Sequence, residues 1–136
     1  MPRISTNSLE YYNGCEISVK GPLSRVIIQI VGILFEVHNE LGRFCREKQY
    51  SELISNKLSE NKINHKREFE ISDTGNVVDF LIENKIILEL KSKRIILKKD
   101  YYQIQRYLQV TNLKLGILVN FRSEYLNPKR IVKKDN

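Results

Sequence analysis

Apolar residues in the first third of the chain follow the spacing of one face of an α-helix. Ile27, Val31, Leu34, His38 and Leu41 are three or four residues apart along this stretch. Further apolar residues between these positions broaden the face, which is typical of a helix enclosed by the rest of the protein. The pattern therefore predicts a central, largely buried helix that ends at the glycine following Leu41.

The rest of the pattern predicts two more helices and a small sheet. A narrower apolar stripe indicates the second helix, and after residue 65 the period shortens to two, which is typical of strands. The predicted order is α-α-β-β-β-α-β, with helices over about 25–41, 45–58 and 99–110, strands over 66–71, 77–82, 86–91 and 115–121, and a short further strand at 130–133.

The first residues differ from the remainder of the chain. Residues 1–22 include Asn, Ser, Gly and Pro and have no clear period, so we expect them to form a poorly defined N-terminal tail. A chain of 136 residues suits one compact domain with a modest core. We therefore expect residues 23–136 to form a single domain.

Charge changes this picture by suggesting a partner. The formal net charge is +7, and residues 69–136, with 13 basic and 8 acidic residues, carry +5 of it. A polyanion such as nucleic acid is a natural partner for such a surface. A solvated basic surface without a specific partner explains the charge equally well, so both interpretations stay open at this point.

Cysteine usage and hydropathy exclude several classes of protein. Cys15 and Cys45 form no CxxC motif and no zinc-type cluster, which indicates free thiols and argues against an iron–sulfur cluster. The most apolar stretch is about 12 residues long and contains Gln29 and Glu36, so it is too short and too polar to span a bilayer. No signal peptide is visible. We expect a cytoplasmic protein without a membrane partner.

Charged residues interrupt one of the apolar strands. Glu89 and Lys91 are two residues apart and therefore share a face of the strand over 86–91, whereas Asp79 lies on the preceding strand. A three-residue loop, Glu83-Asn84-Lys85, would place Asp79 opposite Glu89. A two-residue turn would place Asp79 opposite Leu90 and on the wrong face. The sequence permits the first register without requiring it.

Two carboxylates on neighbouring strands would form an oxygen site of the kind that Mg²⁺ prefers. The adjacent Lys91 could then hold a water molecule or stabilise negative charge on a phosphate. An ion-paired hairpin in a basic structural protein accounts for the same residues without any metal. On the helices, Glu47 and Tyr50 share one face, and so do Gln103 and Tyr107.

Five motifs in sequence order carry a resemblance to a known family. The chain resembles the GxxExxY family, a branch of the PD-(D/E)XK nuclease superfamily, from about residue 24 to 132. One departure is that the first glycine of the family's name falls at Phe44. The motifs are FEVHNELG (35–42), REKQY (46–50), VVDFLIENKIILELK (77–91), QIQRYL (103–108) and LGILVNF (115–121).

The resemblance implies an α/β fold and a metal-dependent activity. The expected core is restriction-endonuclease-like, with a mixed four- to five-stranded sheet flanked by helices. The expected activity is hydrolysis of phosphodiester bonds with Mg²⁺ or Mn²⁺. The implied roles are metal binding by Asp79, Glu89, Glu47 and the Leu90 carbonyl, positioning of water by Lys91, and orientation of the site by Gln103 and Tyr107.

The same resemblance implies nucleic acid as the partner, with DNA favoured over RNA and a homodimer left open. Lys93, Arg94, Lys98 and Lys99 follow the motif directly and could hold the phosphate backbone without reading sequence. The alternative is a catalytically inactive module that binds nucleic acid or assembles with partners while keeping the nuclease fold.

Overall fold

The computed structural model describes residues 9–12, 15–18, 22–72 and 74–135. The order of helices and strands over residues 22–135 confirms the predicted α/β architecture. The elements are β1 (Leu9–Tyr12), β2 (Cys15–Ser18), α1 (Pro22–Leu41), α2 (Glu47–Glu60), β3 (His65–Glu70), β4 (Val77–Ile82), β5 (Ile86–Lys91), α3 (Lys98–Thr111), β6 (Leu115–Asn120) and β7 (Lys129–Val132).

A mixed five-stranded sheet forms the centre of the fold. Its strand order is β3-β4-β5-β6-β7, and β5 pairs with β6 in parallel whereas the other three pairs are antiparallel. Helix α3 connects β5 to β6, because two parallel neighbours need a crossover connection. This architecture is consistent with the restriction-endonuclease-like fold expected from the sequence.

The helices cover the two faces of the sheet unequally. Helices α1 and α2 pack on one face, where Leu34 and Ile54 join Phe80 and Leu88 in the larger apolar cluster. Helix α3 packs on the other face through a smaller cluster that includes Ile104, Val78 and Ile87. Within the described part of the chain, none of the helices has the length and apolarity needed to cross a bilayer.

A short antiparallel hairpin precedes the domain core, and the sequence pattern did not predict it. Strands β1 and β2 pair with Leu9 opposite Ser18 and Tyr12 opposite Cys15. Strand β1 lies beside β7. Part of the segment expected to be a poorly defined tail therefore contributes two strands.

The turn between β4 and β5 fixes the register of these strands. Ile82 pairs with Ile86, so the loop has three residues and the first of the two predicted registers is confirmed. Both Glu83 and Asn84 adopt left-handed backbone conformations, with φ of 54° and 55°. The N–H of Lys85 closes the turn with a 3.0 Å hydrogen bond to the Ile82 carbonyl.

Candidate metal centre

Asp79 and Glu89 lie where β4 and β5 stop pairing through their backbones. The regular ladder ends at Phe80 and Leu88. Beyond it, the Asp79 N–H donates to Oε1 of Glu89 at 2.8 Å, and the Leu90 N–H donates to Oδ2 of Asp79 at 2.7 Å. Each carboxylate therefore bonds to the backbone of the opposite strand, and the two side chains come together.

The opposite edge of β4 is irregular at the same position. In the β3–β4 ladder Arg67 pairs with Phe80 and Phe69 with Val78, but the pair between them is interrupted. Glu68, at the interruption, has a left-handed φ of 50°. Val78 packs toward α3 and Phe80 toward α1 and α2, so the usual alternation of faces breaks at the acidic residue between them.

Burial gives the acidic pair unusual protonation behaviour. Glu89 is only 6% exposed. Burial and then the charge of Asp79 raise the pKa of Glu89 to about 8, and burial also raises the pKa of Asp79. The interaction between the two carboxyl groups acts in opposite directions, raising the pKa of Glu89 and lowering that of Asp79. Without a compensating cation, the pair therefore retains a proton near neutral pH.

Lys91 provides a positive charge beside this pair. Its Nζ lies 3.7 Å from Oε2 of Glu89, and its side chain is 23% exposed. Ile87 belongs to the cluster under α3, and side chains two residues apart share a face of a strand, so Glu89 and Lys91 also point toward the α3 side. A substrate that reaches the acidic pair would therefore meet the ammonium group as well.

Glu47 approaches the pair from the first residue of α2. Burial and the charge of Asp79 raise the pKa of Glu47, while Lys91 and a hydrogen bond from the Ser92 backbone oppose the shift. These contributions indicate that the Glu47 carboxylate lies within electrostatic range of Asp79 and Lys91. The helix N-terminus also favours a carboxylate at this position.

The ligand set available for a cation is small. Among the described residues, no group of three or more His, Cys, Asp or Glu side chains is placed to hold a metal ion. Asp79 and Glu89 with the Leu90 carbonyl nevertheless fit Mg²⁺, which is commonly held by one or two carboxylates and retains several waters. A divalent cation would also replace the proton that the buried pair otherwise keeps. Glu47 is then suited to bind a metal-bound water rather than the ion itself.

Tyr50 supports Glu47 without reaching the acidic pair. The ring is fully buried and stacks on Phe121 with 4.2 Å between centroids. Its hydroxyl donates to the Gly42 carbonyl at 2.6 Å and accepts the Cys45 N–H at 3.1 Å. The tyrosine thus fixes the loop that leads into α2, a role that the spacing from Glu47 did not indicate.

Helix α3 brings Tyr107 and Gln103 to the same side of the sheet. Tyr107 is buried, and burial followed by the charge of Glu89 raises the pKa of its phenol. Gln103 lies one turn earlier and is half-buried. No hydrogen bond joins the Gln103 side chain to any other residue that the structure describes. Its amide is therefore available to a ligand.

The residues predicted to bind the phosphate backbone of nucleic acid fall into two groups. Arg94, Lys98 and Lys99 are exposed, and Arg94 lines a cleft of about 270 Å³ together with Lys129. Lys93 instead forms a 2.6 Å ion pair with Asp100. Its ammonium group is therefore engaged within the protein.

Two buried polar residues, Asp100 and Asn120, hold the loop after β5. The sequence pattern did not identify either of them. Asp100 accepts the Leu97 N–H at 2.7 Å at the start of α3. Although burial opposes it, the ion pair with Lys93 lowers the pKa of Asp100. Asn120 binds both the N–H and the carbonyl of Lys93, at 3.1 and 2.7 Å. The signal in the sequence that could have identified Asn120 is its position as a polar residue at the end of an otherwise apolar strand.

Comparison with known proteins identifies the family of this fold. A family model described as the PD-(D/E)XK nuclease superfamily matches residues 24–133, which include the whole of the site described above. A solved structure described as "Crystal structure of SSO0001" is similar with a TM-score of 0.46 and 19% identity, over 79% of this chain and 67% of that chain. No curated protein sequence gives a significant match.

Proposed function

The chain belongs to the PD-(D/E)XK nuclease superfamily, and we propose that it is a metal-dependent nuclease whose active site is built on Asp79 and Glu89. One observation carries the proposal: the carboxylates of Asp79 and Glu89, on neighbouring strands, each accept a hydrogen bond from the backbone of the opposite strand and lie beside Lys91. Such a pair is unfavourable in a core unless a cation or a proton compensates it. The Glu47–Tyr50 spacing further supports a place in the GxxExxY branch.

The residues that would hold Mg²⁺ or Mn²⁺ are Asp79, Glu89 and the Leu90 carbonyl. When bound, the ion would act as a Lewis acid on the phosphate and lower the pKa of a coordinated water. Both backbone N–H bonds to the carboxylates fix their positions before any ligand arrives. The site therefore needs little rearrangement to accept the ion.

The surrounding residues would position the other reactants. Lys91 would orient the attacking water and stabilise the negative charge of the phosphate. Glu47 would hold a second water from the α2 side of the site. Gln103, whose amide makes no bond to another described residue, would orient a phosphate oxygen. Tyr107, on α3, would support the position of Glu89.

Nucleic acid would lie along the loop between β5 and α3. Arg94, Lys98 and Lys99 are exposed there and carry the charge that a phosphate backbone needs. Lys93 would contribute through its ion pair with Asp100, which orders this loop, rather than through a phosphate contact. Contacts of this kind hold a strand without reading its sequence, and we propose DNA as the preferred substrate.

The proposal is tested by a cleavage panel over single- and double-stranded DNA and RNA with Mg²⁺, with Mn²⁺ and with EDTA. We expect cleavage that requires the metal and that Lys91→Ala reduces by at least about 100-fold. Lys85→Ala, which removes an exposed lysine from the β4–β5 turn, is the matched control and should cleave normally. Binding of nucleic acid without cleavage of any substrate would favour the inactive module instead.

A further inference from the structure

An exposed aromatic ring lies next to the candidate metal centre. Phe44, in the loop between α1 and α2, is 73% exposed. Two guanidinium groups approach its ring, with the Cζ atoms of Arg43 and Arg122 at 5.0 and 5.1 Å from the centroid. A large apolar side chain in this position contributes little to the core and is accessible to a ligand outside the protein.

The loop that carries Phe44 is held in place on both sides. Gly42 ends α1 with a left-handed φ of 76°, and its carbonyl accepts the Tyr50 hydroxyl. Cys45 donates its N–H to the same hydroxyl and accepts a 3.3 Å bond from Oγ of Ser92. The Phe44 loop is therefore preorganised, which reduces the entropy lost when a ligand binds.

The Arg43 side chain is anchored to the backbone of Arg122. Nε of Arg43 donates to the Arg122 carbonyl at 2.8 Å. This bond uses one of the five N–H donors of the Arg43 guanidinium, so the others remain available to an anion. An exposed apolar ring beside two cationic groups matches a nucleotide, which joins an apolar base to a charged phosphate.

The loop that carries Phe44 leads directly to the acidic site. Phe44 precedes Glu47 by three residues, so their Cα atoms can be no more than about 11 Å apart. The bond between Ser92 and Cys45 ties the Phe44 loop to the segment that follows Lys91. A strand whose phosphate occupied the metal centre would therefore bring a neighbouring base to Phe44.

We propose that Phe44, flanked by Arg43 and Arg122, is a stacking platform for an unpaired base of the nucleic-acid strand that enters the Asp79–Glu89 site. The inference rests on the proposed nuclease function and specifies its substrate. A base within a duplex has both faces covered by its neighbours, whereas an unpaired base can stack on an exposed aromatic ring. The platform would give the enzyme a preference for single-stranded segments or strand ends.

The chain contains no tryptophan, which makes a direct test possible. Phe44→Trp introduces a single tryptophan at the platform, whose emission is excited selectively over that of the tyrosines, and titration with a single-stranded oligonucleotide in EDTA measures stacking without cleavage. Val110→Trp is the matched control, because Val110 is exposed at the far end of α3. We expect the Phe44→Trp emission to fall by about half or more, with a much smaller change for a blunt duplex or for the control.

A second pair of variants measures the contribution to binding. Phe44→Leu keeps an apolar side chain but removes the ring, and it should weaken single-strand binding about 10-fold, whereas Phe44→Tyr should bind normally. Unchanged emission of Phe44→Trp in the bound state, or wild-type affinity of Phe44→Leu, overturns the platform. If metal-dependent cleavage then persists, the nuclease proposal still stands. Quenching without any cleavage supports the platform and contradicts the nuclease.

Discussion

Asp79 and Glu89 are joined across β4 and β5 by a 2.8 Å hydrogen bond from the Asp79 N–H to Oε1 of Glu89. The buried pair keeps a proton because the pKa of Glu89 is raised to about 8, chiefly by burial. An unfolded chain would already have lost that proton above the ordinary pKa of a glutamate. The protonation state of this pair therefore links stability, pH and metal binding.

The first prediction concerns pH. Between about pH 4.5 and 8 the folded state binds the proton more strongly than the unfolded state, so the free energy of unfolding of the metal-free protein falls as the pH rises through this range. The expected fall is on the order of 2–4 kcal/mol. Urea denaturation in EDTA at several pH values measures it.

Mg²⁺ should reverse this trend, because the cation competes with the proton for the same carboxylates. We expect Mg²⁺ to raise the melting temperature more at pH 8 than at pH 6. Glu89→Gln, which cannot titrate, provides the control and should lose both the pH dependence and the metal effect. A wild-type protein with the same pH profile as Glu89→Gln would contradict the prediction.

The second prediction concerns Tyr50. Tyr50→Phe leaves the ring stacked on Phe121 but removes the partner of the Gly42 carbonyl and the Cys45 N–H. The expected loss of stability is about 1–3 kcal/mol, measured by chemical denaturation. Cleavage should also fall, because the loop that positions Glu47 is released.

Tyr101→Phe is the matched control for this change. Tyr101 is half-buried, and its hydroxyl bonds to no other residue within the described ranges. Its removal should therefore leave both stability and cleavage near the wild-type values. Equal effects of the two substitutions would show that the Tyr50 hydroxyl has no special role.

The third prediction concerns the packing of α3 on β6. A Cβ added at Gly116 would lie 2.6 Å from Cγ2 of Ile104, so Gly116→Ala forces the helix away from the sheet. We expect a destabilisation of about 1–3 kcal/mol. In the double variant with Ile104→Ala the two costs should be less than additive, since the clash is then absent. Full additivity would contradict the contact.

The fourth prediction concerns the loop after β5. Asn120→Ala removes the bonds to both backbone groups of Lys93, and the loss should destabilise the protein by about 1–3 kcal/mol. The loop should also open more often, so trypsin should cleave after Lys93 or Arg94 several times faster. Asn39→Ala, on the exposed side of α1, is the control and should change neither rate nor stability.

The elements of the core could be predicted from the sequence because their patterns are local. Strands β4 and β5 have the predicted bounds, 77–82 and 86–91, since each is an apolar run between turn residues. Helix α2 begins two residues later than predicted, because Arg46 has an extended backbone and serves as the N-cap. The hairpin β1–β2 was missed because each strand has only four residues, which is too short for a clear period.

The candidate site was predictable only in part. Sequence spacing identified Asp79, Glu89 and Lys91, but their juxtaposition depends on a turn in which Glu83 also adopts a left-handed conformation. The irregularity at Asp79 involves Glu68 on another strand. The two hydrogen bonds between Asn120 and Lys93 join residues far apart in the sequence, and no local pattern indicates such a pair.

Binding of Mn²⁺ to the acidic pair is measured most directly by isothermal titration calorimetry at pH 8, on the wild-type protein, Glu89→Gln and Glu83→Gln. Glu83 is half-buried in the turn of the same hairpin, where a Gln can still accept the Asn64 N–H, and it is the matched control. We predict one Mn²⁺ site in the wild type and in Glu83→Gln, with affinity at least 10-fold weaker in Glu89→Gln. Absence of binding to the wild type at millimolar Mn²⁺, or equal affinity in all three proteins, would contradict a metal centre at Asp79 and Glu89.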